Sequence, residues 1–438
     1  MSMRGLFAVL LGAAMALTGL SSNALAQSDD SVFFPLLVYR TGPYAPSGIP
    51  TANGMHDYLR LVNARGGING VPIEVEECET QYNTKLGVEC YEKLKNKGSG
   101  AAVINPYSTG ITYQLIPKAR VDEIPIHSLG YGRTAAAYGK VFKWTFNFPD
   151  TYWHGASAAV RYIGQEEGGM ESLNGKTIAL VYHNSAYGKE PIPTLEKLAE
   201  DYGYNLELLA VDHPGQEQKS TWLQVRRMRP DWVVMWGWGV MNQVAVKEAA
   251  NINFPMDHFI GVWWSGDEST VVPAGEDAVG YKAMNFHGVG TDFGVHEAII
   301  EEVYGGDRAA AEENNFGEVL YNRGIINAMY DVEAVRTAMN EYGNKPLTGE
   351  QYRWGFENLN LTQERINELG MQGLVQPLRV TCENHAVGAP IMIQQWDGEK
   401  WNPASDWLEP MSDVVWAQAE EAALAYAEEN NIEVRDCN

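Results

Sequence analysis

The chain is short of basic residues, histidine and cysteine. Lys and Arg number 32 against 56 Asp and Glu, for a formal net charge of −24. That deficit excludes nucleic acid and anionic membrane surfaces as partners, because both demand clustered positive charge. The surplus acids fall mostly on helix faces, as in AEEAALAYAEENNIEVRD near the C-terminus, so they do not imply a cationic ligand. The four cysteines form no CxxC, and the nine histidines are scattered. No metal site follows, and Cys382-Glu383-Asn384-His385 is too sparse to make one. The motifs GxSxG, HExxH and the P-loop are missing as well. His296-Glu297 has no histidine four residues on. Ser265, in WWSGD, lacks the glycine two places before a nucleophile elbow. The chain therefore reads as a protein without catalytic activity. A secreted hydrolase using Ser265 or Glu268 is the rival reading.

Apolar runs of membrane-spanning length are also missing. The longest, Leu6 to Leu20, is too short to cross a bilayer. It follows Arg4 and precedes the small-x-small site Ala24-Leu25-Ala26. Residues 1–26 thus read as a signal peptide, with Gln27 as the mature N-terminus. One arginine rather than a pair indicates the general export route, and no cysteine stands at the cleavage site to take a lipid. The expected location is the periplasm of a Gram-negative bacterium, with no membrane insertion. In that oxidising compartment four cysteines read as two disulfides. Three pairings are open. Cys78 with Cys90 would be local, and Cys382 with Cys437 would pin the tail.

What is present alternates strand with helix. Val71, Ile73 and Val75 alternate with Glu74 and Glu76, a period of two. Ala52, Met55, Leu59 and Val62 recur at helical spacing, and Thr84 is placed to cap a helix carrying Val88, Tyr91 and Leu94. Apolar runs return at 101–105, 124–129, 177–183, 206–211, 232–236 and 258–262, each followed by helix-like sequence or a Gly/Ser loop. This pattern predicts parallel sheets covered by helices. Two sheets fit better than one. VFKWTFNF (141–148) places Phe142, Trp144, Phe146 and Phe148 on one side and suggests a strand crossing between them. Segments 281–287 and 378–384 suggest two more crossings.

The order of the first elements is informative. A strand leads to the loop TGPYAPSG (41–48), a helix ending in Asn63, the turn GGINGV (66–71), a second strand and the pair Cys78/Cys90. This order resembles the opening of periplasmic solute-binding proteins of the leucine/isoleucine/valine type, exported receptors that hand a small molecule to an ABC importer. The resemblance implies the type I periplasmic binding fold: α/β, with two Rossmann-like lobes, parallel central sheets and a three-segment hinge. The N-terminal lobe would be 27–148 plus 284–375, and the C-terminal lobe 149–283 plus 376–438. The partners implied are a small solute and an inner-membrane permease, with no cofactor.

Ligands in such sheets sit at the carboxyl ends of strands, where loops and helix starts converge. After 101–105 come Ser108 and Thr109 at a helix start, a ready anion site. The family holds a ligand carboxylate there. After 124–129 come Tyr131, Gly132 and Arg133, which the resemblance makes a second set of contacts to the same carboxylate. Tyr187 follows 177–183 and would face the cleft from the other lobe. Trp238 follows 232–236 and matches an aromatic of the family. Near Trp263, amino-acid binders carry an acid for the ammonium group. Here an indole stands in that place, and Asp267 and Glu268 come four and five residues later. A plain α-amino acid ligand then depends on Asp267 reaching the site. Tyr44 would cover the ligand from the first loop, and Tyr321 would face the cleft from a long helix.

An aromatic wall of this kind suits a hydrophobic or aromatic carboxylate, or an amino-acid-like solute, held by stacking and burial. It also suits an alkylammonium held by cation–π contacts. The Ser/Thr/Gly cradle favours the carboxylate. An amide or urea receptor, or a ligand-sensing periplasmic subunit, would use the same fold.

Overall fold

The computed structural model describes residues 30–437. The expected signal peptide lies outside the described residues. Two parallel-dominated sheets organise the chain. In the first, β1 (Val32–Val38) pairs in parallel with β2 (Ile73–Glu79), from Val32↔Ile73 to Val38↔Glu79. Every residue of β1 is buried, as expected of a parallel strand covered on both faces. On its other side Phe33 and Leu36 bridge to Ala101 and Asn105. Ile104 bridges in turn to β3 (Ile126–His127), which pairs with β4 (Thr145–Phe146). Segment 101–105 forms only isolated bridges, in part because Pro125 opposite it has no N–H to give.

The second sheet has seven strands. These are β5 (Thr177–His183), β6 (Asn205–Val211), β7 (Trp232–Trp236), β8 (Phe259–Gly261), β9 (Lys282–Asn285), and, after the β10–β11 ribbon (Asn360–Leu361 with Leu378–Arg379), β12 (Met392–Trp396) and β13 (Trp401–Pro403). Their order is β13-β12-β9-β8-β7-β5-β6, with β12 and β13 antiparallel to their neighbours and the rest parallel. β9 carries this sheet to Asn285 rather than 283.

The strand expected over 141–148 shortens to β4, because its aromatic side chains part company. Phe142 stacks on Tyr426 at 4.9 Å, and Trp144 enters a core with Cys90 and Leu115. Phe146 and Phe148 stack instead on His385 and His127. The 281–287 and 378–384 segments likewise contain strands of other pairings, β9 and β11.

Helix α1 (Ala45–Ala64) buries Ala52, Met55, Leu59 and Val62, as their spacing requires. It packs on the long helix Val319–Tyr342 closely enough to need glycine on both sides. A Cβ at Gly54 would lie 2.0 Å from the Tyr321 carbonyl oxygen, and one at Gly324 would lie 2.1 Å from that of Thr51. Helix α2 (Thr84–Leu94) is capped by Asn83, not Thr84. Asn83 has the extended backbone a cap needs, and its side chain accepts from Lys85 N and Leu86 N. Disulfides join Cys78 to Cys90 and Cys382 to Cys437, each with Cα atoms 5.7 Å apart. A buried set of Asn105, His127 and Asp331 ties the first sheet to the long helix, with His127 Nδ1 2.6 Å and Asn105 Nδ2 2.7 Å from the Asp331 carboxylate. Among the described residues no helix is long and apolar enough to cross a membrane.

Candidate ligand-binding site

The loops at the carboxyl ends of the two sheets meet around one buried centre. Helix α3 (Thr109–Asp122) starts there, with Ser108 as its cap accepting from Ile111 N at 3.4 Å. The Thr109 hydroxyl accepts from Gly132 N at 3.2 Å. Ser128 donates to the Gly132 carbonyl at 3.1 Å and also bonds Thr112 at 2.9 Å. These bonds stitch the loop after β3 to the start of α3. Ser108, Thr109, Tyr131 and Gly132 therefore form one cradle of hydroxyls and helix-start N–H groups, a setting that favours an anion.

Aromatic rings from the second sheet cover this cradle. Trp263 and Trp264 both donate their indole N–H to the Gly130 carbonyl at 3.0 Å. Tyr131 stacks on Trp264 at 4.3 Å, and Trp238 stands edge-on to both, 6.3 Å from Tyr131 and 5.3 Å from Trp264. Tyr152, the first residue of α4 (Tyr152–Glu166), stacks on Trp263 and tilts against Tyr187. The Tyr187 hydroxyl donates to the Gly237 carbonyl at 2.8 Å. Tyr44 reaches over from the loop after β1, and its hydroxyl bonds His183 Nε2 at 2.9 Å and His213 Nδ1. Gly239 is left-handed (φ 57°) where a Cβ would strike Tyr44, so glycine permits this close approach.

Three expected residues turn elsewhere. The Arg133 guanidinium lies over Tyr426, 4.4 Å from the ring centre, and beside Tyr113. Cation–π attraction from these rings outcompetes a reach into the cradle. Asp267 caps the short helix Glu268–Val271, accepting from Ser269 N, the Ser269 hydroxyl and the Thr270 hydroxyl. Both its oxygens are thereby taken. The Tyr321 hydroxyl donates to Asp57 at 2.7 Å, on the α1 side of the long helix. The Ser265 hydroxyl donates to the Gly237 carbonyl at 2.9 Å and bonds Asn242, with no histidine beside it.

Sequence reasoning missed Tyr82, Tyr152, Glu190 and Arg323. The Arg323 guanidinium is 4.8 Å from the rings of both Trp264 and Phe286. It donates to the Trp263 carbonyl and to Asn285 Oδ1 at 3.0 Å. It also meets His287 Nε2 at 3.0 Å. His287 Nδ1 faces the Gly288 carbonyl at 2.7 Å, which places the imidazole proton there and leaves Nε2 to accept. Burial pushes His287 well below its ordinary range, in keeping with a neutral ring. Burial also pulls Arg323 down to about 9, so it is charged at neutral pH. The signal for it was a lone arginine inside the otherwise apolar helical run VLYNRGIINAMY. Glu190 accepts from Tyr113, from the Thr134 hydroxyl at 2.7 Å and from Thr134 N at 3.2 Å. Burial raises its pKa, and these donors oppose that rise.

Two α/β units that meet through strand-end loops over a buried polar and aromatic centre define the type I periplasmic binding fold. The sequence model of the family described as periplasmic binding proteins matches residues 31–400, and the chain belongs to that family. A solved structure described as an ABC transporter permease from the Pseudomonas fluorescens group is 42% identical, with a TM-score of 0.87 over 94% of this chain and 100% of that one. A branched-chain amino acid ABC transporter from Thermus thermophilus with bound valine is 20% identical, with a TM-score of 0.75 over 89% of this chain and 99% of that one. A solute-binding protein of an ABC transporter from R. palustris, in complex with benzoate, is 16% identical, with a TM-score of 0.68 over 87% and 97%. No curated protein sequence matches the chain.

Proposed function

We propose that the chain is the periplasmic substrate-binding component of an ABC importer, and that it captures a small hydrophobic or aromatic carboxylate between two closing lobes. The lobes are 27–148 plus 284–375 and 149–283 plus 376–438. The observation that carries this reading is the cradle at the start of α3 facing rings from the second sheet. Ser108, Thr109, Tyr131 and Gly132 hold the carboxylate. Tyr187, Trp238 and Trp263 shut over the apolar body, and Tyr44 latches the mouth. Arg133, Asp267 and Tyr321 support neighbouring structure rather than the solute.

Contacts to both lobes lower the closed state relative to the open one, so the solute shifts that population. The permease reads the closed shape. Benzoate in a distant neighbour is a carboxylate of the proposed class, and valine in another is amino-acid-like. A thermal-shift screen over amino acids, aromatic acids, amides and methylated amines identifies the solute, because a ligand of the native state raises Tm. Ser108→Ala with Thr109→Ala is then expected to weaken that solute by about 100-fold or more. The empty protein loses only the ~1 kcal/mol of a helix cap. Unchanged affinity refutes the reading.

A further inference from the structure

Two donors inside the ring cluster are buried without partners. Trp238 is 1% exposed and Tyr152 is 0% exposed. The Trp238 Nε1 and the Tyr152 hydroxyl make no hydrogen bond. A buried donor left unpaired costs roughly 1–3 kcal/mol, so two within one cluster point to a guest that satisfies them. They occupy different places. The Tyr152 hydroxyl lies beside Thr109, at the carboxylate cradle. The Trp238 ring stands deeper, against Tyr131, Trp264 and Tyr39. An indole N–H can only donate, so whatever meets it must accept.

The surroundings are unfavourable to a ligand cation. The acids that approach the centre are engaged: Glu190 by Tyr113 and Thr134, Asp267 by Ser269 and Thr270. Arg323 sets a positive charge 4.8 Å from the Trp264 ring, against which Tyr131 stacks at 4.3 Å. A ligand ammonium here would lose its water, find no free carboxylate and face a like charge. Resting on the carboxylate reading above, we propose that the solute is an acceptor-only acid: an aromatic carboxylate with a second hydrogen-bond acceptor, of the aryl oxo-acid kind, and no ammonium group. Its carboxylate takes the Tyr152 hydroxyl together with Ser108 and Thr109. Its second acceptor takes the Trp238 N–H.

The test is calorimetric titration of the purified protein with phenylpyruvate, 3-phenylpropanoate, L-phenylalanine and 3-phenylpropionamide. Phenylpyruvate is expected to bind about tenfold more tightly than 3-phenylpropanoate, the worth of one net hydrogen bond. L-Phenylalanine is expected to be at least about 100-fold weaker than phenylpyruvate. Trp238→Phe keeps a ring and removes the N–H, and it is expected to abolish the advantage of the oxo-acid. L-Phenylalanine matching phenylpyruvate, an oxo-acid with no advantage, an advantage that survives Trp238→Phe, or binding by none of the acids overturns the inference. The amide separates the two levels. If it matches 3-phenylpropanoate, the carboxylate reading itself fails. If it does not bind while all three acids bind equally, carboxylate capture stands and only the acceptor-only inference falls.

Discussion

The Tyr44 hydroxyl lies 2.9 Å from His183 Nε2, joining the loop after β1 to the end of β5. The same hydroxyl meets His213, and His183 Nδ1 meets the Ser185 hydroxyl at 2.8 Å. The only covalent links among the described residues lie elsewhere, so this contact between the two sheets is held by hydrogen bonds alone.

Acid should weaken it. Burial, with the neighbouring His213 second, pulls His183 down to about 4. The unfolded chain takes up that proton near pH 6.5, before the folded one does. The stability contribution is thus complete above about pH 6.5 and is lost as pH falls toward 4, by up to ~3 kcal/mol. Tm measured across pH 4–8 is expected to be flat at the top and to fall below about 6.5. His154, also pulled down to about 4 by burial, adds to the fall. His183→Gln should shallow the slope without removing it, and an unchanged slope would show that His183 contributes nothing.

Gly54→Ala and Gly324→Ala should each destabilise the protein by roughly 1–3 kcal/mol or more. The new methyl meets a backbone oxygen at 2.0 or 2.1 Å, and backbone cannot yield as a flexible side chain can. Denaturant unfolding reads this directly, as a lower midpoint with an unchanged slope.

The two disulfides should differ in worth. Cys78 and Cys90 are 12 residues apart, and Cys382 and Cys437 are 55. Loop-closure entropy gives about 3 kcal/mol for the first and about 4 for the second. Cys382→Ser with Cys437→Ser should therefore cost more than the matching change at 78 and 90, as read by equilibrium unfolding. It should also free the tail, where Arg435 pairs with Glu357 and bonds the Gly139 carbonyl. Faster proteolysis at the C-terminus is the second readout.

Solute binding should change tryptophan emission, because Trp238, Trp263 and Trp264 sit in one cluster beside the cradle. Trp238→Phe should reduce the amplitude. A solute that binds tightly and leaves emission unaltered would count against these rings as contacts.

Much of the frame was legible because it depends on short-range order. Parallel β1 and β2, the helix carrying Met55 and Leu59, and the start of α3 at Ser108 follow from period and cap chemistry within a few residues. The cradle was legible for the same reason, since Ser108, Thr109 and Gly132 come directly after apolar runs. Even locally there was ambiguity. Asn83 and Thr84 are both good caps, and only backbone conformation chose Asn83.

The direction of long side chains was not legible. Arg133 lies over Tyr426, Tyr321 reaches Asp57, and Arg323 reaches Asn285 and Trp263, all partners far away in the chain. Asp267 could have served a ligand or a cap, and the helix that follows it took both oxygens. From the sequence alone come the acidic surplus, the order of strands and helices, the cysteines able to pair, and the loops that would meet. Tertiary structure alone decided which rings converge, which pairs of cysteines joined, and that a charged arginine underlies the wall. The reason is range: backbone periodicity and caps are settled between near neighbours, whereas ring stacking and buried charge are settled only when distant segments exclude water together.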